Sequence, residues 1–208
     1  TAPLAGLMLA EDKTLATLPP AMQWLFTMIT AYPASLLMRH IGRRAGFIIG
    51  DVFLILGGLL SVFALVRGEF PFFWIGASLM GISNGFAIFY RFAAADAVEP
   101  EWRGRAISYV LAGGLAAAFI GPELGVLTKD LLAPATFAGC YAVLVGIALL
   151  KMAVLSNLRF PFPTVEELTA QGRPLLEIIA QPRYLIALVC SMVGWGVMIL
   201  LMSSTPLA

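Results

Sequence analysis

Apolar residues in this chain come in long unbroken blocks, and the polar residues are gathered into the stretches between them. The pattern predicts six helices, over Leu18–Met38, Ala45–Val66, Pro71–Ala95, Ala106–Leu127, Ala135–Leu155 and Leu185–Ser204. Each block is long enough to cross a bilayer, because ~20 residues at a rise of ~1.5 Å span the hydrocarbon core. Pro19 and Pro20 open the first block, where proline costs least. Thr1 to Ala10 is apolar but too short to span, and no basic segment precedes it. It reads as the outer end of a helix that begins before residue 1, so the sequence is expected to be a piece of a longer protein. Most connections are short. The exception, from Asn157 to Pro182, is rich in proline and charge, and its "PTVEEL" stretch offers a threonine cap followed by acids, the pattern of a short surface helix.

Composition agrees with the blocks. Of 208 residues, 60% are hydrophobic and 12% charged, whereas an average soluble domain has about 25% charged residues. The chain is an all-α integral membrane protein. Its net charge of +1 gives no case for nucleic acid as a partner. Cys140 and Cys190 both lie in apolar runs, so a disulfide framework is not expected. No nucleophile–base set, phosphate loop or soluble catalytic domain is visible, and the chain is not expected to be an enzyme.

Basic residues set the orientation. Arg39, Arg43, Arg44, Arg103, Arg105, Arg159, Arg173 and Arg183 fall in alternate connections, and only Lys13, Arg67 and Lys129 fall in the others. That imbalance places the first set in the cytoplasm, with lipid headgroups as partners. The last helix then runs outward. Pro3-Leu4-Ala5 and Pro206-Leu207-Ala208 therefore end on the same side, as two copies of one helix end in a duplicated protein would.

Small residues crowd three helices, as "GGLLS" (57–61), "GASLMGISNG" (76–85) and "AGGLAAAFIG" (112–121). Such faces let membrane helices approach closely. The first five full-length helices are accordingly expected to form one compact bundle, with the Ala106–Leu127 helix buried more deeply than the last helix.

Two motifs stand out. In "SLLMRHIGRRAGF" (35–47) an outgoing helix ends, Gly42 turns the chain, and Arg43 and Arg44 follow at the cytoplasmic surface. Plain positive-inside anchoring accounts for the arginines as well as any role in gating does. In "FIGPELG" (119–125), Gly121 and Pro122 remove a backbone hydrogen bond inside a spanning helix and bend it. A packing kink with no part in transport is the plainer account of that one.

The order of these features resembles the major facilitator superfamily. Ser35 to Arg44 is similar to that family's motif between its second and third helices, with Arg39 where the family has an acid and Ser35 where it has a glycine. "GPELG" is similar to the Gly-Pro motif of its fifth helix, with Val126 in place of the final glycine. The resemblance implies a major-facilitator-type bundle: residues 1–156 as the N-terminal half with a truncated first helix, 157–183 as a cytoplasmic linker, and 184–208 as the first helix of a C-terminal half. About six of twelve helices would be present, with the second six-helix half as partner. "YRFAAADA" (90–97), "RAISYVLAGG" (105–114) and "MILLMSSTPLA" (198–208) further resemble bacterial inner-membrane copper importers that serve assembly of cbb3-type cytochrome oxidase. Riboflavin transporters form a sister branch.

The copper resemblance draws attention to Met198 and Met202, one helical turn apart. Two thioethers at i and i+4 can face one point, and soft sulfur suits Cu(I). Copper would be the transported substrate, with no cofactor. Cys190, ~80° around the same helix from Met198, is a candidate for onward transfer. Methionine also serves as a flexible filler of apolar cores, and spacing alone favours that plainer role. Tyr90, Asn84 and Trp195 keep open a small organic solute as the cargo, and a membrane assembly factor that transports nothing is a third possibility. Among intramembrane charges, Asp51 is expected to pair with Arg43 or Arg44 rather than to serve as a proton site, and Arg91 to pair with Asp96 or Asp51. Lys151 is expected to snorkel to the surface and His40 to lie on it.

Overall fold

In the computed structural model, residues 2–10, 12–158, 177 and 180–204 are described. They form α1 (Ala2–Leu9), α2 (Leu18–Ile41), α3 (Arg43–Arg67), α4 (Phe70–Ala87), α5 (Tyr90–Asp96), α6 (Arg103–Thr128), α7 (Ala138–Asn157) and α8 (Pro182–Ser204). No strand occurs among the described residues. The chain divides into two units, residues 1–162 and 163–208, each described by itself. The "PTVEEL" stretch and the Pro206-Leu207-Ala208 end lie outside the described residues.

Five stretches are long and apolar enough to cross a membrane: Arg43–Arg67, Phe70–Asp96, Pro100–Thr128, Ala138–Asn157 and Pro182–Leu201. Six such spans were expected. The remaining one, α2, has the length but is more polar, with Gln23, Thr27, Thr30, Ser35 and three prolines.

Helix α3 is central to the first unit, packing chiefly on α4 and α7, while α2 packs on the other flank of α4. Its faces are sorted by size. Gly50, Gly57, Ser61 and Ala64 are buried, whereas Val52, Leu56, Leu59, Phe63 and Val66 are exposed. Against lipid no hydrophobic gain comes from burying large apolar groups, so close backbone approach and dispersion hold the helices together. The closest backbone approach that α3 makes is between its Gly57 and Gly76 of α4. A Cβ on Gly57 would stand 2.7 Å from the Gly76 carbonyl oxygen, and one on Gly76 would stand 2.8 Å from that of Gly57. Ser61 lies against the same point and donates its hydroxyl to the Gly57 carbonyl at 2.8 Å. On the other side of α4, Thr27 of α2 donates to the carbonyls of Gln23 and Gly81 at 2.8 and 3.0 Å.

Apolar clusters close both ends of this antiparallel arrangement. One gathers Ala5, Ala64, Phe73, Ala77, Met80 and Tyr141, with Phe73 and Tyr141 edge to face at 5.7 Å. The other gathers Ala34, Met38, Phe47, Phe86, Ala93 and Leu155. Outside the spans, Asp12 caps the turn at Lys13–Thr17, and hydrogen bonds from the Thr14 amide and hydroxyl hold its carboxyl below the ordinary carboxylate range.

Three expectations are corrected. The predicted helix Pro71–Ala95 is broken at Ile88–Phe89, where the Phe89 amide donates to Phe86, three residues back, at 3.1 Å. Just beyond it the Tyr90 ring stacks on Phe47, with centroids 4.3 Å apart. The helix predicted from Ala135 begins at Ala138, because the preceding residues form turns that end in Phe137 at φ 70°, its amide bound to the Lys129 carbonyl at 2.8 Å. The bundle also does not close around α6. Thr128 is the one buried residue of that helix, and Cβ atoms on Gly113, Gly114 or Gly121 would meet nothing within 4 Å. Its small-residue face is turned away from the helices of its own unit. Nor is α6 better buried than the last helix, since neither the α6 span nor α8 has a buried residue in its most apolar window.

Because the α3–α4 contact leaves no room for a side chain, Gly76→Leu should destabilise the chain by about 1–3 kcal/mol through overpacking. Gly146→Ala on α7, where a Cβ meets nothing within 4 Å, should be neutral or stabilising by up to about 1 kcal/mol. Thermal unfolding in detergent, followed by circular dichroism, checks the pair; equal melting temperatures would refute the close-packing account.

Candidate functional site

The corner between α2 and α3 is built on Gly42. It is the single residue between α2 and α3, at φ 85° and ψ 158°, a conformation that residues with a Cβ rarely adopt. Its amide closes α2 on the Met38 carbonyl at 3.0 Å, and its own carbonyl accepts from Gly46 at 3.2 Å. So short a link sets Arg43 and Arg44 on the first turn of α3, pointing at its neighbours. Arg43 forms an ion pair with Asp96 at the end of α5. Arg44 donates to the Ser156 carbonyl in the last turn of α7, a helix end whose free carbonyls welcome a cation. The two arginines thus fasten α3 to α5 and to α7.

These contacts correct the expected pairings. Asp51 binds neither arginine. It lies on α3, 1% exposed, with Oδ1 2.6 Å from Nζ of Lys151 on α7. Lys151 therefore does not simply snorkel to the surface; its side chain is one-third exposed, and Nζ also stands 5.5 Å from the centre of the Tyr90 ring. Arg91 pairs with neither Asp96 nor Asp51 and lies over the Phe92 ring at 4.9 Å. Asp51 Oδ2 is buried with no hydrogen-bond partner among the described residues.

Sequence reasoning missed the Asp51–Lys151 pair, although a signal was present. Asp51 is the one acid within Ala45–Val66 and Lys151 the one base within Ala135–Leu155. Counted from the start of α3 and the end of α7, they lie at similar depths, ~12 and ~9 Å. Matching opposite intramembrane charges by depth would have paired them.

Gly121 and Pro122 lie within α6, which continues through Pro122 to Thr128. Met198, Met202 and Cys190 lie on α8, whose helical backbone puts the two methionines one turn apart as expected. The side chain of Met202 lies outside the described residues. Cys140 and Cys190 are free thiols, and Cys140 donates to the Gly125 carbonyl at 3.3 Å, joining α7 to α6. No group of three or more His, Cys, Asp or Glu side chains able to hold a metal occurs among the described residues.

Apolar spans stacked on small residues, an arginine-clamped turn and a buried charge pair describe a multi-pass helical membrane protein. The chain belongs to the Major Facilitator Superfamily, which it matches over residues 1–208. Over 207 residues it is 32% identical to the riboflavin transporter RfnT of Brucella anthropi, an alignment covering 99% of this chain and 52% of that protein. The chain thus spans about half the length of this curated relative. No solved structure matches it.

Lys151→Met would leave the Asp51 carboxylate buried without its counter-charge and should cost about 3 kcal/mol, the low end of the range for breaking a buried pair because the ammonium is partly exposed. Adding Asp51→Asn should recover most of that loss. Thermal unfolding of the two variants checks the pair, and an unrecovered double variant would show that Lys151 acts by packing alone. Arg43→Ala with Arg44→Ala should weaken membrane insertion or gating and leave cargo choice unchanged; a competition assay among solutes would expose an altered preference.

Proposed function

We propose that this chain is the greater part of one half of a bacterial inner-membrane carrier for riboflavin, working by alternating access against a second six-helix half. Residues 1–156 form the first half in this reading, 157–183 the cytoplasmic linker, and 184–208 the opening helix of the second half. The observation that carries the proposal is the 32% identity to a riboflavin transporter, sustained over 99% of the chain. An alignment of that extent includes the helices that line a carrier's midplane, where substrates bind. A flat, largely apolar cargo with a polar edge needs aromatic faces and hydrogen-bonding groups. Asn84 at the end of α4, Tyr90 beyond the break and Trp195 on α8 are the candidates this chain offers.

Copper import, the first expectation, rests on Met198 and Met202. Nothing else in the described residues supports it, and the similarity to a riboflavin transporter favours the organic cargo. On the riboflavin reading the two methionines pack, and Cys190 has no transfer role.

Both cargoes can be followed in cells expressing the intact protein, its Met198→Leu variant or its Met202→Leu variant. Radiolabelled riboflavin should accumulate in all three, because leucine conserves volume at a packing cost usually below ~1.5 kcal/mol. Copper content should match that of cells without the protein. Copper accumulation by the wild type, abolished in each leucine variant, would replace this proposal with the metal reading.

A further inference from the structure

We propose that Asp51 is a proton-carrying site of this transporter: Oδ2 takes up one proton, and that proton releases the ion pair tying α3 to α7. The proposal rests on the reading of the chain as part of a secondary carrier and deepens it by naming the coupling ion and the residue that bears it.

The two carboxylate oxygens are treated differently. Oδ1 is 2.6 Å from the Lys151 ammonium, whereas Oδ2 is buried and unpartnered. A carboxylate has about four acceptor sites, and an ionised oxygen without a donor in apolar surroundings is costly. A purely structural pair is best served by donors to both oxygens. A proton on Oδ2 instead removes the charge that calls for them. Burial disfavours the ionised carboxyl and the ammonium favours it, so the two states are separated by one proton and one broken contact. Ionisable groups inside a membrane span are rare and tend to mark such pathways.

The ammonium has somewhere else to go. Before protonation the pair is neutral. Afterwards the carboxyl is neutral, Lys151 keeps its positive charge, and the Nζ–Oδ1 contact loses its electrostatic strength. Nζ already stands 5.5 Å from the Tyr90 ring centre, within reach of a cation–π contact. Its side chain is 33% exposed and lies ~9 Å from the end of α7, a distance its stem can partly cover. When the carboxyl gives up its proton, the ammonium returns to Oδ1 and the pair is neutral again.

The position also fits. Tyr90, the first residue after the irregular turn at Ile88–Phe89, stacks on Phe47 of α3, with ring centroids 4.3 Å apart, and so stands beside the ion pair. Lys151 is the charged partner that the described residues give Asp51. Helix α4 carries no charge between Phe70 and Ala87, and the basic residues of α2, Arg39 and His40, stand in its last turn. Arg43 and Arg44 are engaged by Asp96 and Ser156, and Arg91 lies over Phe92.

The test uses the intact carrier in detergent and a hydrophobic carbodiimide, which reacts with protonated carboxyls in apolar surroundings. Asp51 should be labelled, with a rate rising about tenfold for each pH unit lowered until it levels off, and Asp51→Asn should lose that label. No label at Asp51, or a label indifferent to pH, overturns the proposal whatever the cargo. In proteoliposomes, Asp51→Asn with Lys151→Gln leaves no lone buried charge. This variant should lose riboflavin accumulation driven by an imposed proton gradient and keep exchange of labelled for unlabelled riboflavin. Gradient-driven accumulation equal to wild type overturns the proposal, and if both activities are lost the labelling result decides. Failure of riboflavin to enter wild-type vesicles would refute the cargo reading alone, and the labelling would still decide on the proton.

Discussion

The near contact of two backbones, α3 at Gly57 and α4 at Gly76, is the constraint on which the rest of the first unit depends. With 2.7–2.8 Å between a built Cβ and the facing carbonyl, neither position accepts a side chain, and the two helices cannot slide past one another without lifting apart. On its other flank α3 meets α7, and there the approach of Gly58 to Val145, 2.6 Å from a built Cβ to Cγ2, fixes the depth at which Asp51 meets Lys151. It also fixes the place where Arg44 reaches the end of α7. A small-residue contact thus sets the geometry of charged groups more than a turn away. In a membrane this is the expected order of causes, since packing decides which helices touch and polar groups then find partners within that frame.

Polar groups inside the spans show how strictly the frame is kept. Ser61, Ser78 and Thr128 each return a hydroxyl to a carbonyl four residues back in their own helix. They satisfy themselves and place no demand on neighbours. Thr27 reaches across to Gly81 as well, so the polar side chain that binds two helices sits on the least apolar of the long helices. Against this self-sufficiency Asp51 Oδ2 is the exception. In apolar surroundings such an exception costs free energy, and a chain that meets its other intramembrane polar groups so economically retains it at a position tied to another helix.

Much of this was legible in the sequence. Blocks of apolar residues gave the long helices to within a few residues, because length and hydropathy alone decide what spans a bilayer. The glycine turn with its two arginines was visible for the same local reason. What a one-dimensional pattern does not contain is which faces meet. The break at Ile88–Phe89 has neither proline nor glycine at its centre; just beyond it Tyr90 stacks on Phe47, a contact between distant residues. The small residues of α6 and those of α3 look alike in sequence, yet only the latter touch a neighbour within this unit. Asp51 was assigned to the nearest arginines along the chain, whereas its partner is Lys151, exactly the kind of long-range pairing that depth along antiparallel helices would have suggested. Met198 and Met202 drew attention through spacing and resemblance, and spacing on a helix is equally satisfied by packing.

The two ends of the bundle are held by different forces, and the difference bears on how it can move. At one end Phe73, Tyr141, Met80 and the small residues around them interdigitate, and separating them forfeits many dispersion contacts at once. At the other, an apolar cluster is overlaid by three polar fastenings, Arg43 to Asp96, Arg44 to Ser156, and Asp51 to Lys151, all beginning within the first nine residues of α3. A charged contact can be exchanged for a bond to water, a headgroup or a proton at small net cost when it lies near the surface. A packed apolar contact has no such substitute. Motion of α5 and α7 against α3 is therefore cheapest at the end that carries Arg43 and Arg44. One end of the unit is held by packing, and the hold at the other depends on the state of a few charges.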